Sequence, residues 1–423
     1  MKKIVMTLLI GLSTLLLVTG CGSSGKASGN TGEENSKDLT FWGPWDGETQ
    51  EQIQVIVDGF NKENDANVKY VSQADMMNTF QASSISGDVP DVMLWDGTEV
   101  RRYAKMNQLE PLDSYMEKLD VPLADYNDQA IDELTHDKEV YGIPINIDIW
   151  GVYCNLDILN KAGIKEVPKN WEELEAAAVA SMDVAGVKTG LNMKNAPGLF
   201  NSFLVANNGS ALTADGKKLN LNENALQTLE FYKKLLDDKV YSTDYSASKG
   251  SDGFLTGEEA MTFWPTSMLR TYKKYGDKMN FTFVPIPAGE AEGAKAGGIQ
   301  TSFSLVVPQK ASNKELATKF IKYALHDEKN SLIWSDIIGG FSTLKSIQND
   351  EKFANDPYLK NVLSELNNCK VRSDVPGFIN LEQTCFIPEI EKMFEGSQTP
   401  QKTIQAMDKQ GNELLKKYRE EGN

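Results

Sequence analysis

Val140-Tyr141-Gly142-Ile143-Pro144-Ile145-Asn146-Ile147-Asp148-Ile149-Trp150-Gly151-Val152-Tyr153-Cys154-Asn155 is the stretch that decides how the chain is read. Val140 to Ile143 reads as a strand ended by Pro144, because proline offers no N–H to a central ladder and drives the residue before it into an extended conformation. A second strand then runs from Trp150 to Tyr153. Between them Asn146 and Asp148 stand two apart, so an extended backbone projects both to one side, with Trp150 continuing the row. An amide, a carboxylate and an indole on one face make either a ligand wall or a solvated strand face with an incidental tryptophan, and these residues alone leave both open. Everything before the stretch reads as one lobe.

At 423 residues with 40% hydrophobic content, the chain can build two or three domain-sized cores. Its 60 Asp and Glu against 43 Lys and Arg give a formal net charge of −17, which repels nucleic-acid phosphate and anionic headgroups, so no nucleic-acid partner is expected. Lys2 and Lys3, the apolar run Ile4 to Val18 and the small residues Thr19 and Gly20 are the three parts of a secretory signal over 1–20, too short for an ordinary membrane span. Val18-Thr19-Gly20-Cys21 resembles the bacterial lipobox, which makes Cys21 the expected lipidation site and membrane anchor. Residues 21–38 then read as a flexible Gly/Ser/Asn/Glu-rich tether. The expected location is the extracytoplasmic face of the bacterial cell membrane.

Cys154, Cys369 and Cys385 are an odd set: Cys369 and Cys385 either pair or remain buried thiols. With only His136 and His326 and no C-x-x-C spacing, no metal cluster is expected, and no cofactor.

Along the chain, Leu39 to Trp42 is a strand ending at Gly43-Pro44-Trp45-Asp46-Gly47, followed by a helix with Ile53, Ile56, Val57 and Phe60 at helical spacing. Val68 to Val71 is a strand, Asp75 to Ile85 a helix with Met76, Met77 and Phe80 at its apolar positions, and Asp91 to Trp95 a strand ending at the turn Asp96-Gly97-Thr98-Glu99. Strands alternating with helices imply a mainly parallel, helix-covered sheet, whose ligands sit beyond the carboxyl ends of the strands, where Trp42, Trp45, Asp46, Trp95, Asp96 and Glu99 fall. Leu156 to Ala162 is helical and stops at Gly163; Asn170 with Glu173 forms a capping box ahead of a structural Trp171; Ala225 to Leu236 traces a core stripe. Ala260 to Pro265 delivers Trp264 to a turn, Gly297-Gly298 leads into the strand Phe303 to Pro308, and Asn313 to Leu325 is a helix. Gly339-Gly340-Phe341-Ser342 reads as a loop, and the tail is mostly helical, broken at Ser373 to Gly377 and ending in amphipathic Thr403 to Tyr418.

Phe41-Trp42 with Asp46, Pro90 to Trp95, Tyr141 with Pro144 and Tyr153-Cys154-Asn155, Phe254 with Gly257-Glu258-Glu259-Ala260-Met261, Asn313 to Ala317, and Leu344-Lys345-Ser346 follow one order over nearly the whole mature chain. In that order they resemble the sugar-binding group of ATP-binding-cassette transporter solute-binding proteins that includes maltose-binding protein. The resemblance implies an α/β, two-lobe fold of the type II periplasmic-binding-protein class with an interlobe ligand cleft. It implies crossovers near Ile147–Ile149, Gln300–Phe303 and Thr343–Ser346, with lobes 39–147 plus 303–343 and 148–302 plus 344–423. It also places a ligand-contacting carboxylate four residues after the proline, at Asp148, a polar group at Asp46 and an aromatic after Ala-Met, at Trp264. Near Pro376 the maltose-binding member presents an aromatic where Glu382 stands, with Phe378 four residues earlier, which argues against assigning maltose. Gly298 and Phe341, beside the later crossovers, complete the candidate binding set.

Sugars need paired donors and acceptors for hydroxyls and aromatic faces for their C–H surfaces, and Trp, Asp, Asn and Glu supply both. Trp42, Trp45, Trp95, Trp150, Trp264 and Trp334 mostly fall at strand ends or loops, each either core or platform. The expected function is a lipid-anchored, monomeric binding component that captures a carbohydrate, an oligosaccharide, by lobe closure and delivers it to the transmembrane subunits of a permease. Two rivals stand beside it. One is a binding protein for a polyamine or peptide, and the other a lipid-anchored glycosidase using paired carboxylates, for which no nucleophile elbow or catalytic His constellation is present.

Overall fold

The computed structural model describes residues 37–243, 252–275, 279–351, 355–358, 360–375 and 377–421. The leader, Cys21 and Pro376 lie outside the described residues.

Among the described residues, fourteen strands build two main sheets and one small hairpin. The first sheet has β1 (Asp38–Gly43), β2 (Asn67–Ser72), β3 (Val92–Asp96), β6 (Ile143–Pro144) and β12 (Phe303–Val306), in the order β2-β1-β3-β12-β6. The hairpin is β4 (Thr135–His136) with β5 (Glu139–Val140). The second sheet gathers β7 (Asn146–Asn155), β8 (Thr189–Asn192), β9 (Glu259–Pro265), β10 (Phe281–Pro285), β11 (Ile299–Thr301), β13 (Phe341–Ser342) and β14 (Lys370–Val371) around β7.

The opening stretch folds differently from its expected pair of four-residue strands. Pro144 lies inside β6 and faces Ser304 across the ladder; β6 is an edge strand, where a residue without an N–H is tolerated. The second strand begins at Asn146 and not at Trp150, so β7 is one ten-residue strand, about 33 Å long at the usual rise. Its first half pairs with β13 and β11 and its second half with β9 and β10, all antiparallel. The sheets are therefore less parallel than expected: β1 is parallel to β2 and β3, and β8 to β9, but every partner of β7 and β12 runs the other way. Strands that return through a crossover enter the sheet from the opposite end, and this reverses their direction.

Side-chain alternation along β7 feeds two cores. Ile147, Ile149 and Tyr153 enter a cluster with Phe254, Tyr272, Phe281 and Phe283, while Val152 and Cys154 enter another with Trp171, Phe203 and Phe231, against which Trp150 packs. Gly151 is required where it stands, because a Cβ would lie 2.4 Å from the Val284 carbonyl oxygen and 2.5 Å from the Phe283 ring. The first sheet has its own clusters on either face, one holding Phe41, Phe60 and Trp334, the other Phe80, Trp95 and Tyr103.

Helix Gly47–Asn64 buries Ile53, Ile56, Val57 and Phe60, the four residues its spacing named. Helix Met76–Ser86 buries only Phe80, and Met77 is 43% exposed, so one of its expected core positions faces outward. Asp96 to Glu99 is not a free turn: Asp96 caps helix Gly97–Lys105. Trp334 sits mid-helix in Glu328–Ile338 and is fully buried. Cys154, Cys369 and Cys385 are free and buried.

The crossovers are bound to one another by polar groups. The fully buried Asn146 donates from Nδ2 to the Gly339 carbonyl at 3.1 Å and accepts the Phe303 N–H on Oδ1 at 2.9 Å, so one amide touches all three chain passages. Thr343 donates its hydroxyl to the Pro144 carbonyl at 2.7 Å. Core membership changes between Ile145 and Ile147 in the first passage. In the third, Phe341 packs with the second sheet's cluster, Leu344 and Ile347 with the first sheet's, and Val362 again with the second's.

Candidate functional site

The carboxylate of Asp148 stands where the two sheets meet. It is opposite Thr301 in the ladder, and two residues further along the same crossover Phe303 is opposite Asp96. Asp148 is 8% exposed, and its Oδ1 accepts the Thr266 hydroxyl at 2.7 Å and the Ser267 N–H at 2.8 Å. The Thr266 hydroxyl in turn accepts the Ile149 N–H at 3.0 Å, fixing its proton toward Asp148. Burial raises the Asp148 carboxyl above its ordinary range, and the hydrogen bonds from Thr266 and Ser267 oppose that rise.

Asn146, Asp148 and Trp150 share one face of β7 as their spacing required, but they do different work. Asn146 is committed to the crossovers, whereas Trp150 is half-buried, stacked on Phe263 at 5.4 Å between ring centroids. Trp264 pairs with Gly151 across β9 and β7, so it lies on the opposite face of the sheet from Trp150 and Asp148. It packs at the edge of the other core, with the Lys194 ammonium 4.5 Å from its ring centroid. The structure does not bring the two indoles onto one wall. Gly298 is a close-approach residue, since a Cβ there would lie 2.5 Å from the Trp150 carbonyl oxygen. Phe341 is fully buried opposite Ile147, not in a loop but in β13, and its ring has no surface to offer a ligand.

From the first sheet, Trp45 is half-buried with its ring 5.3 Å from Phe303, which brings it to the same crossover as Asp96 and Asp148. Asp46 follows with an exposed carboxylate that makes no capping bond to helix Gly47–Asn64 and is free to meet a ligand. Asp96 spends one oxygen on its helix, accepting the Thr98 N–H at 2.9 Å and the Thr98 hydroxyl at 2.7 Å. Trp95 is 3% exposed and edge-on to Phe80 and Tyr103, a core residue by its packing, with half-buried Trp42 against the same cluster.

Glu382 is 2% exposed and accepts the Gly198 N–H at 3.1 Å, the Asn201 amide and the Arg372 guanidinium. Phe378 is 3% exposed and edge-on to Phe386. Glu382 therefore stands behind Arg372 and Asn201, which hold it. Asn201, Thr266, Ser267 and Lys194 carried no sequence signal, because each acquires its role from a partner far along the chain, and Arg372 carried none because it meets Glu382, ten residues on, across an irregular turn. The turn Pro265-Thr266-Ser267 directly after Trp264 was the one local pointer.

The sequence model of the bacterial extracellular solute-binding protein family matches residues 56–361. The arabinooligosaccharide-binding protein of Bacillus subtilis (strain 168) is 24% identical over 371 residues, 82% of this chain and 81% of the relative. The maltodextrin-binding protein MdxE of the same organism is 25% identical over 308 residues, covering 68% and 69%. Among solved structures, the sugar-binding protein MalE of Xanthomonas citri superposes with a TM-score of 0.78 at 22% identity, covering 90% of this chain and 98% of that one. The cyclic alpha-maltosyl-1,6-maltose binding protein of Arthrobacter globiformis gives 0.76 at 19% identity, covering 90% and 100%. The fold is thus the two-sheet α/β arrangement of type II periplasmic-binding proteins, and with the family model spanning most of its length, the chain belongs to the bacterial extracellular solute-binding proteins.

Proposed function

We propose that this protein captures an oligosaccharide between two lobes, 39–147 with 303–343 and 148–302 with 344–423, and delivers it to the transmembrane subunits of an ATP-binding-cassette permease. It does so from the outer face of the membrane, held as a monomer through lipid on Cys21. The observation that carries the reading is Asp148. Its carboxylate is buried where the two sheets meet, with one oxygen fixed by Thr266 and Ser267 and Trp150 next on its face. A carboxylate held this way accepts paired sugar hydroxyls, and the half-buried indoles of Trp45 and Trp150 suit the apolar sugar faces. Asp46 adds a free acceptor from the other side. The relatives' names, for arabino- and malto-oligosaccharides, support the same ligand class.

Thermal-shift screening and calorimetry with arabino-, malto- and galacto-oligosaccharides test it, with spermidine and short peptides alongside. A bound saccharide raises the melting temperature by mass action and is recovered chemically unchanged. Stabilisation by spermidine or peptide with none by any saccharide overturns the reading, and recovery of cleaved glycan replaces it with hydrolysis.

A further inference from the structure

The wall of the second sheet holds a second concavity, of about 110 Å³, lined among others by Asn201, Ser210, Ile299, Lys370, Arg372 and Phe378. It continues the row on β7. Gly198, at φ +96°, lies where a Cβ would stand 2.9 Å from Ile299 Cδ1 and 3.5 Å from the Trp150 ring. The indole and Ile299 therefore flank the same stretch of bare backbone, and Ile299 is shared with the lining of the concavity.

The electrostatics of this concavity are unlike the rest of the molecule. In a chain with a formal net charge of −17, the charged residues lining it are Lys370 and Arg372, and no carboxylate lines it. Glu382 lies behind, with both oxygens engaged: Oε1 accepts from Gly198 and Asn201, and Oε2 accepts the Nε and Nη2 protons of Arg372. That grip holds the guanidinium plane on one edge. Nη1 makes no hydrogen bond among the described residues, and Lys370 makes no ion pair there. Asp374, close in sequence, is turned away to Arg101 at 2.9 Å. A pre-oriented guanidinium edge beside an ammonium, with Phe378 and Ile299 as apolar lining, is the equipment for a carboxylate carried on a sugar ring.

We propose that this concavity is a subsite for a uronate unit, so that the protein takes acidic oligosaccharides with a carboxylate-bearing residue placed beyond Trp150. The proposal rests on the saccharide reading of the cleft. Arg372 Nη1 and Lys370 Nζ take the carboxylate, Asn201 and Ser210 are within the same lining for ring hydroxyls, and the neutral part of the chain runs back along Trp150 to Asp148.

The test is calorimetry on the mature protein with matched pairs: xylo-oligosaccharides with and without a glucuronate branch, and galacto-oligosaccharides against oligogalacturonates of the same length. A uronate-bearing member is expected to bind about tenfold tighter than its neutral partner at low salt, as one charge-assisted contact provides, with the gap shrinking as salt rises. Lys370→Gln, at an exposed side chain, is expected to remove much of that gap and leave neutral affinity unchanged. Arg372→Lys keeps a cation beside Glu382 but loses the planar fork, and is expected to narrow the gap while the melting temperature holds. Equal affinity within every pair, or a Lys370→Gln variant that weakens neutral and acidic sugars alike, overturns the subsite while leaving saccharide capture in place. Absence of binding by any saccharide overturns both.

Discussion

Asp148 and Glu133 are both buried carboxyls near the crossovers, and their surroundings separate their roles. Asp148 meets a hydroxyl and a backbone N–H, so it is set up to remain an acceptor. Replacing it with Ala removes a charged partner from a desolvated cleft, and the expected loss is about 2 kcal/mol, or roughly thirtyfold in Kd by calorimetry. Glu133 ends helix Asp128–Glu133, is 1% exposed, and accepts the Ser302 hydroxyl on Oε2 at 2.7 Å, while Oε1 has no partner among the described residues. Burial first, and then the nearby Asp96 charge, lift its carboxyl from 4.5 to about 8, against the Ser302 hydrogen bonds and the Arg101 charge. The folded state thus holds a proton that the unfolded chain releases at a lower pH. The stability this group contributes is complete below pH 4.5, falls as pH rises and is gone above about 8. Glu133→Gln, which keeps the shape without the titration, should gain on the wild type as pH rises from 5 to 8, seen as a diverging pair of urea midpoints; parallel midpoints would show that Glu133 is already ionised.

At the scale of elements, β7 is the member the molecule cannot lose. Every one of its residues has a ladder partner, Gly151 to Cys154 have one on each side, and it feeds a core on each face. Gly151→Ala drives a methyl into the Val284 carbonyl and the Phe283 ring, and is expected to cost about 1–3 kcal/mol in denaturant unfolding with no change in m-value. Much of this level was readable in advance. The helix at Gly47–Asn64, the Asn170 cap, which accepts the Glu173 N–H at 2.8 Å, and the Ala225 stripe all follow local periodicity or capping chemistry. The length of β7 was not, because Asn146, Asp148 and Pro144 all weaken a strand locally and only the partners from β11, β12 and β13 compensate them. Helix Leu199–Ala206 also went unread, since it is buried almost all round and carries no amphipathic period.

For the whole molecule, the ion pair of Arg101 with Asp374 at 2.9 Å links the first-sheet helix Gly97–Lys105 to the segment after β14, and Arg270 with Glu48 at 3.6 Å makes a second link between the proposed lobes. Such partly exposed pairs contribute at most about 1 kcal/mol each, enough to bias a closure equilibrium without controlling folding. Asp374→Asn is expected to enlarge the ligand-free radius of gyration by small-angle scattering and weaken ligand binding up to about fivefold, with the unfolding midpoint nearly constant.

Local pattern was sufficient for most helices and strands and for the order of motifs that marks the family, because these depend on neighbours within a few residues. It also put Asn146, Asp148 and Trp150 on one face, which follows from the pleat alone. Tertiary structure decided what each does there. Asn146 became a staple between three chain passages because Phe303 and Gly339 arrive beside it, and Asp148 remained an acceptor because Thr266 and Ser267 hold one of its oxygens. Trp264 was turned to the other face by its pairing with Gly151. The partners in each case lie more than a hundred residues away, and a side chain's hydrogen-bond and burial energies are set by what reaches it in space, which no stretch of sequence contains.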